Sequence, residues 1–267
     1  MPAGNLARTA SAILEQRGSR RLVLLCDFDG TLVEFQSDPA AVWLPESRRT
    51  LLEGFLDHPA ATVGIVTGRR LIDVRERTGL PDAAYFAGLH GLEIEGGGEQ
   101  FVHPQVAETR ALVRGVSITL AARIAAHPGA FLEDKEMSVA VHYREAPASA
   151  HAEIMTAFEQ VTRPAIETGR LRVMRGSFVL ELLPNIPWNK GDAVRWIVKR
   201  VQRDGVPVFP VYIGDDVTDE DAFREVEDRG VGIAASDRVT GGDFRVDGPA
   251  GVEELLRELF KTLEPEG

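Results

Sequence analysis

Cys26-Asp27-Phe28-Asp29-Gly30-Thr31-Leu32 is the stretch on which the fold turns. It follows Leu22-Val23-Leu24-Leu25, a short apolar run between Arg21 and Gly30, which predicts a parallel strand buried on both faces. Asp27 and Asp29 then stand at the carboxyl end of that strand, where open α/β sheets gather ligands and catalytic groups. Two carboxylates there can converge on a hard cation with oxygen ligands. Beside such an ion a carboxylate can attack phosphorus, because the metal neutralises charge that would repel a phosphate. Gly30 permits a positive φ and lets an anion approach main-chain N–H groups. A strand-ending turn in which Asp and Gly serve turn geometry alone accounts for the same residues, so the rest of the chain has to decide.

With 267 residues, 44% of them hydrophobic, the chain is long enough for an α/β domain with a smaller one inserted. A net charge of -11 without a compensating Lys/Arg stripe argues against nucleic acid as a partner. A small phosphorylated substrate is compatible with it, since a metal and a few cations can outweigh the global charge locally. Cys26 is the single cysteine, which excludes an intramolecular disulfide and fits a reducing compartment. No apolar run reaches the length of a membrane span, and the N-terminus lacks the apolar core of a secretory signal. A soluble, cytoplasmic protein with no membrane partner is therefore expected, and a monomer.

Upstream of the opening strand, Leu6, Ala10, Ile13 and Leu14 are spaced for one face of a helix. Downstream, an irregular segment over 33–44 contains Pro39 and leads to a helix over 45–56 with Pro45 at its first position. Ala61 to Val66 is a second apolar strand, ending in Thr67-Gly68-Arg69, where a hydroxyl and free helix N–H groups suit either a phosphate oxygen or a plain helix cap. A strand over 85–87 and a hairpin around Gly96-Gly97-Gly98 follow. From Pro104 the pattern changes: helices over 106–126 and 148–161 alternate with strands over 131–134, 138–143, 171–174 and 178–183, which predicts an inserted α+β layer. Lys190-Gly191-Asp192 opens a helix to Val201, and Val208 to Ile213 is a buried strand ending in Gly214-Asp215-Asp216-Val217-Thr218-Asp219-Glu220-Asp221. Carboxylates crowded at one strand end call for a bound cation or a lysine, although acidic residues also suit a helix's first turn. The expected division is a core of residues 1–103 and 186–267 with an insert of 104–185.

Four signals therefore occur in order: DFDGT, VTGR, NKGDA and GDDVTDED. In this order they resemble the haloacid dehalogenase superfamily of phosphatases, whose fold is a doubly wound, mainly parallel α/β sheet with an inserted α+β cap. A signalling receiver domain, a non-enzymatic phospho-acceptor, also combines acidic residues, Thr and Lys on a doubly wound sheet, but at about half this length and without an insert. GLHGLE at 88–93, EDKEMSVAVHYR at 133–144 and GDDVTDEDAF at 214–223 narrow the resemblance to the trehalose-6-phosphate phosphatase family. The segment Phe178 to Pro184 departs from that family, with Leu183 where an Arg usually stands. Relatives that cleave sucrose 6-phosphate, or glucosyl- or mannosyl-3-phosphoglycerate, share the four core signals.

The resemblance implies a magnesium-dependent phosphatase acting on a sugar phosphate, trehalose 6-phosphate, through an aspartyl-phosphate. It assigns Asp27 as nucleophile, Asp29 as acid and base, and Thr67 and Lys190 as groups that hold phosphoryl oxygens. Asp27, Asp215 and the main-chain carbonyl of Asp29 would hold Mg2+, with Asp216 and Asp219 in the outer shell. Gly30, Gly68, Arg69 and His90 would lie against the substrate. On the insert, strand alternation predicts that Glu133 and Lys135 share a direction opposite to Asp134, and that Glu181 shares a face with Val179 while Phe178, Leu180 and Leu182 take the other. The resemblance gives Glu133, Lys135 and Glu181 to the sugar, whose binding would draw the insert shut over the core.

Overall fold

The computed structural model describes residues 3–36, 41–239 and 241–263; Pro39 lies outside them. Strand β1 (Arg21–Cys26) is buried along almost its whole length because apolar side chains leave it in both directions. Leu22, Leu24 and Cys26 enter one hydrophobic cluster, and Val23 and Leu25 enter another on the opposite face. The first cluster is closed by helices α1 (Ala3–Arg17), α2 (Glu46–Asp57) and α8 (Gly248–Leu263). The second is closed by α6 (Lys190–Val201) and α7 (Glu220–Val226) through Val194, Ile197, Ala222 and Phe223.

The remaining strands of this sheet are β2 (Ala61–Val66), β3 (Tyr85–Gly88), β4 (Glu93–Gly96), β5 (Glu99–Val102), β10 (Val208–Gly214), β11 (Val231–Ala234) and β12 (Phe244–Arg245). Among the described residues the spatial order is β12-β11-β10-β1-β2-β3-β4-β5, parallel from β12 to β3 and antiparallel at β4 and β5. The sheet is thus the doubly wound α/β layer expected from DFDGT outward, with β1 flanked by β10 and β2. Helix α3 (Leu71–Thr78) follows β2.

Two compact units emerge, residues 1–102 with 188–267 and residues 103–187. The second carries α4 (Val106–Ile124), β6 (Phe131–Asp134), β7 (Val139–His142), α5 (His151–Glu167), β8 (Leu171–Gly176) and β9 (Val179–Pro184). Its antiparallel sheet has the order β6-β7-β9-β8. Val139, Val141, Leu180 and Leu182 pack on one side against Val113, Leu120, Ile154 and Phe158 of the two helices.

Several elements differ from expectation for identifiable reasons. Pro45 is the N-cap of α2 rather than its first residue. Helix α5 runs through Pro164 to Glu167, because Ile154, Phe158, Thr162 and Ala165 continue one buried face past it. A proline so close to the helix end forfeits little of the hydrogen-bond ladder, and burial outweighs that loss. Phe178 lies outside β9 with a φ of 63° in the turn that joins Gly176 to Val179, so it is exposed instead of sharing the buried face of Leu180 and Leu182. Among the described residues, no helix is long and apolar enough to cross a membrane.

Candidate active site

Asp27 follows β1 directly, and its N–H donates to the Ile213 carbonyl of β10 at 2.8 Å. The side chain is buried: Oδ1 accepts the Phe28 N–H at 2.7 Å, and Oδ2 lies 3.0 Å from Nζ of Lys190. Lys190 is the first residue of α6, which is started by a reciprocal cap between Asn189 and Asp192. The cap fixes where α6 begins and therefore where the ammonium enters the sheet end. Burial alone would lower the Lys190 pKa, but Asp27 and Asp219 outweigh it and hold the ammonium charged. For Asp27 burial pushes the carboxyl well up, opposed by Lys190 and reinforced by the Asp219 charge.

Asp219 is fully buried and its bonding is complete. Oδ1 accepts from Nζ of Lys190 at 2.7 Å and from the Tyr212 hydroxyl at 2.6 Å. Oδ2 accepts the N–H groups of Asp215 at 3.0 Å and Asp216 at 2.9 Å. Four donors fill the acceptor positions of a carboxylate, so Asp219 orders the loop and Lys190 and has nothing left for an ion. Tyr212 escaped sequence reading, although a hydroxyl inside the otherwise apolar run Val208 to Ile213 demands a buried partner and was the available signal.

Asp27, Asp215 and Asp219 each offer an oxygen within 4.8 Å of the others. With Asp219 saturated, Asp27 and Asp215 are the carboxylates with capacity for a divalent cation. Oδ1 of Asp215 accepts the Thr31 hydroxyl at 3.1 Å, and burial pushes its pKa up to about 6. A hard cation suits this oxygen-only pair and would relieve that shift. Gly30 has φ +81°, and a Cβ there would collide with the Asp215 carboxylate. Its own N–H donates to the Val33 carbonyl at 2.8 Å. The glycine is therefore needed to admit Asp215, and its own N–H is already engaged by the main chain. Asp216 keeps much of its side chain in solvent, 3.9 Å from Arg238, and caps the turn that returns to Asp219.

Thr67 is buried at the end of β2, and its hydroxyl accepts the Arg69 N–H at 3.2 Å. A Cβ on Gly68 would sit 2.7 Å from Nε2 of His90, so this glycine admits the imidazole. His90 is held there by a left-handed backbone (φ 57°) and by its N–H on the Thr67 carbonyl at 2.9 Å. Arg69 is turned onto Asp29: Nε to Oδ2 and Nη2 to Oδ1, both 2.7 Å, a bidentate pair.

In the second unit, Glu133, Ala140 and Glu181 are cross-strand partners on β6, β7 and β9. Nζ of Lys135 lies 3.2 Å from Glu181 and 3.7 Å from Glu133. Glu181 also accepts the Ser138 hydroxyl at 2.8 Å, and Glu133 meets Nε2 of His142 at 2.9 Å, with the Phe131 ring stacked on His142. Asp134 points the other way, to Ser117 of α4 at 2.7 Å. The three residues singled out in sequence are together; Ser138 and His142, which hold the two carboxylates, were not singled out.

Solved structures give the class first. The C-terminal domain of a Candida albicans trehalose-6-phosphate phosphatase superposes with a TM-score of 0.72 at 21% identity, covering 98% of this chain and 97% of that one. A haloacid dehalogenase-like hydrolase from Bacteroides thetaiotaomicron does so with 0.60 at 13% identity, covering 89% and 99%. The fold is haloacid dehalogenase-like. Sequence gives the family: the trehalose-phosphatase family model matches residues 25–246. Trehalose-phosphate phosphatases of Mycobacterium tuberculosis and Mycobacterium marinum are 34% and 35% identical to it over 92% of this chain. The chain belongs to the trehalose-phosphatase family, and it spans 63% of the length of each of those two relatives.

Proposed function

We propose that the chain hydrolyses trehalose 6-phosphate to trehalose and phosphate. The observation that carries this reading is the buried Asp27 at the end of β1, in contact with Lys190 and beside Asp215. In the proposed reaction an oxygen of Asp27 attacks phosphorus, the bond between phosphorus and the sugar oxygen breaks, and Asp29 protonates that oxygen. Asp29, which enters the cycle carrying that proton, then takes one from water, which attacks the aspartyl-phosphate; phosphate leaves, Asp27 is again a carboxylate and Asp29 again carries its proton. Lys190 and Thr67 hold phosphoryl oxygens and offset the charge developing on them. Asp27, Asp215 and the Asp29 main-chain carbonyl are proposed to hold Mg2+, which when bound neutralises charge between nucleophile and phosphate. Gly68 and His90 line the phosphate side. Glu133, Lys135 and Glu181 are proposed to read sugar hydroxyls, the carboxylates accepting and the ammonium donating.

Phosphate release should be measured on trehalose 6-phosphate, sucrose 6-phosphate, glucose 6-phosphate and glucosyl- and mannosyl-3-phosphoglycerate, with Mg2+ and after chelation. Trehalose 6-phosphate should lead the panel, and chelation should abolish its turnover. Asp27→Asn should lower kcat by at least about 10⁴-fold while remaining folded, since an amide is a poor nucleophile of nearly equal shape. A preference for another ester would move the substrate assignment, and near-normal turnover by Asp27→Asn, with deamidation excluded, would remove the mechanism.

A further inference from the structure

Asp29 stands at the rim of the strand-end site, and both of its oxygens are gripped by Arg69. Arg69 is a long side chain whose free rotamers would carry the grip away, so something must fix it. Nη1 of Arg69 donates to Oδ2 of Asp73 at 3.0 Å, and the guanidinium lies over the Phe28 ring, 5.4 Å from its centre. Asp73 is fixed in turn: its Oδ1 accepts from Nε of Arg77 at 2.6 Å. Nη1 of Arg77 is anchored on the Val42 carbonyl at 2.8 Å. Alternating charges thus run from the main chain at Val42 through Arg77, Asp73 and Arg69 to Asp29. Asp73 and Arg77 stand four residues apart on α3, the spacing of neighbours on one helix face, so the rigid helix sets where the chain ends.

We propose that Asp73 is a positioning residue for proton transfer, acting only through Arg69 to fix the direction in which Asp29 meets the leaving oxygen. The hydrogen bonds described for Asp73 go to Arg69 and Arg77, so its removal should leave the nucleophile intact and disorient the acid. The competing account is that Asp73 merely favours the start of α3, as an acidic residue in a first turn does. The two accounts differ in which substrates suffer. Breaking an alkyl ester needs a proton on the leaving oxygen, whereas p-nitrophenolate leaves without one.

The test uses Asp73→Asn and Asp73→Ala in the full chain and rests on the phosphatase reading above. On trehalose 6-phosphate, kcat should fall by about 10- to 100-fold with KM changed by less than about twofold. The first-turnover release of nitrophenolate from p-nitrophenyl phosphate should stay within about twofold of the parent. In an Arg69→Ala background, Asp73→Ala should change kcat by less than about twofold further, because its route to Asp29 is already cut. Equal losses on both esters, a change confined to KM, or the same factor recurring without Arg69 would reduce Asp73 to a helix-stabilising role. An active parent with unaffected Asp73 variants overturns this inference alone; a parent that turns over neither ester takes the phosphatase reading with it.

Discussion

At the carboxyl ends of β1 and β10, Lys190 and Asp219 have lost nearly all contact with solvent, whereas Glu133 and Lys135 keep 38% and 43% of their side chains exposed. Both groups pair one ammonium with two carboxylates. In the first, the ammonium lies 2.7 and 3.0 Å from its carboxylates and Asp219 accepts four donors. In the second, the distances are 3.2 and 3.7 Å, the longer one beyond a hydrogen bond. A buried triad held this closely cannot be altered without unbalancing charge in low dielectric, while an exposed one can exchange its internal pairs for a ligand's hydroxyls at little cost. The first arrangement suits groups that must stay put while bonds change, and the second suits groups that must let go of one another to bind.

The largest stability difference between the two should come from removing the ammonium in each. Lys190→Met leaves Asp27 and Asp219 buried without their cation and should cost about 3–5 kcal/mol in denaturant unfolding. Burial already pushes Asp27 up, and without Lys190 its carboxyl favours the protonated form still more. A group whose folded pKa is raised supports the fold below its ordinary value and withdraws that support as pH rises, so the deficit should narrow as pH falls. A loss under about 1 kcal/mol would mean the buried triad is no tighter than a surface pair.

A divalent cation should have a smaller effect that is confined to the first region. Asp215 is pushed up to about 6, mainly by burial, so it supports the fold below the ordinary carboxylate value and loses that support as pH rises through about 6. Mg2+ bound between Asp27 and Asp215 would offset the penalty where it exists. The unfolding midpoint should therefore rise with Mg2+ by the equivalent of about 1–2 kcal/mol at pH near 7.5, after allowance for screening, and by less at pH near 5. The same shift at both values, or its survival in Asp215→Asn, would place the ion elsewhere.

The two regions were not equally legible in the sequence. In the core, strand and helix boundaries coincide with chemistry: α6 runs from Lys190 to Val201 as expected, and the structure adds the reciprocal cap of Asn189 and Asp192 that starts it. Asp27 was visible because an apolar strand delivers it. Side-chain partners between distant segments were less visible. Arg69 reads as a cation beside a phosphate loop, yet which anion it meets depends on β1 lying next to β2, a tertiary fact. The saturation of Asp219 needed Tyr212 and two main-chain N–H groups that spacing alone does not bring together. In the second unit, alternation correctly separated Glu133 from Asp134 and Glu181 from Leu180 and Leu182. It failed at Phe178, where the left-handed turn required to close β8 onto β9 takes that residue out of the strand.

The smallest expected effect on stability is also the sharpest test of the comparison. Lys135 lies in the turn after β6, where its N–H donates to the Ser138 carbonyl at 2.9 Å, and that bond does not depend on the side chain. Lys135→Ala removes two ion pairs whose ammonium is half-exposed, one to the half-exposed Glu133 and one to the more buried Glu181; Glu181 keeps the Ser138 hydroxyl while Glu133 keeps His142. The cost should be about 0–1 kcal/mol, within which many exposed pairs cannot be measured at all. Binding is a separate matter, because a site built to hydrogen-bond a hydroxyl is impaired far more by a missing partner than an apolar pocket is by a missing methylene. If these groups read the sugar, kcat/KM for trehalose 6-phosphate should fall by roughly 10²-fold or more in Lys135→Ala. Turnover of p-nitrophenyl phosphate, which offers no sugar hydroxyl for the ammonium to engage, should be unchanged. Equal losses on both esters would make Lys135 part of the catalytic or folding apparatus. Unchanged trehalose 6-phosphate turnover would return it to an ordinary solvated position.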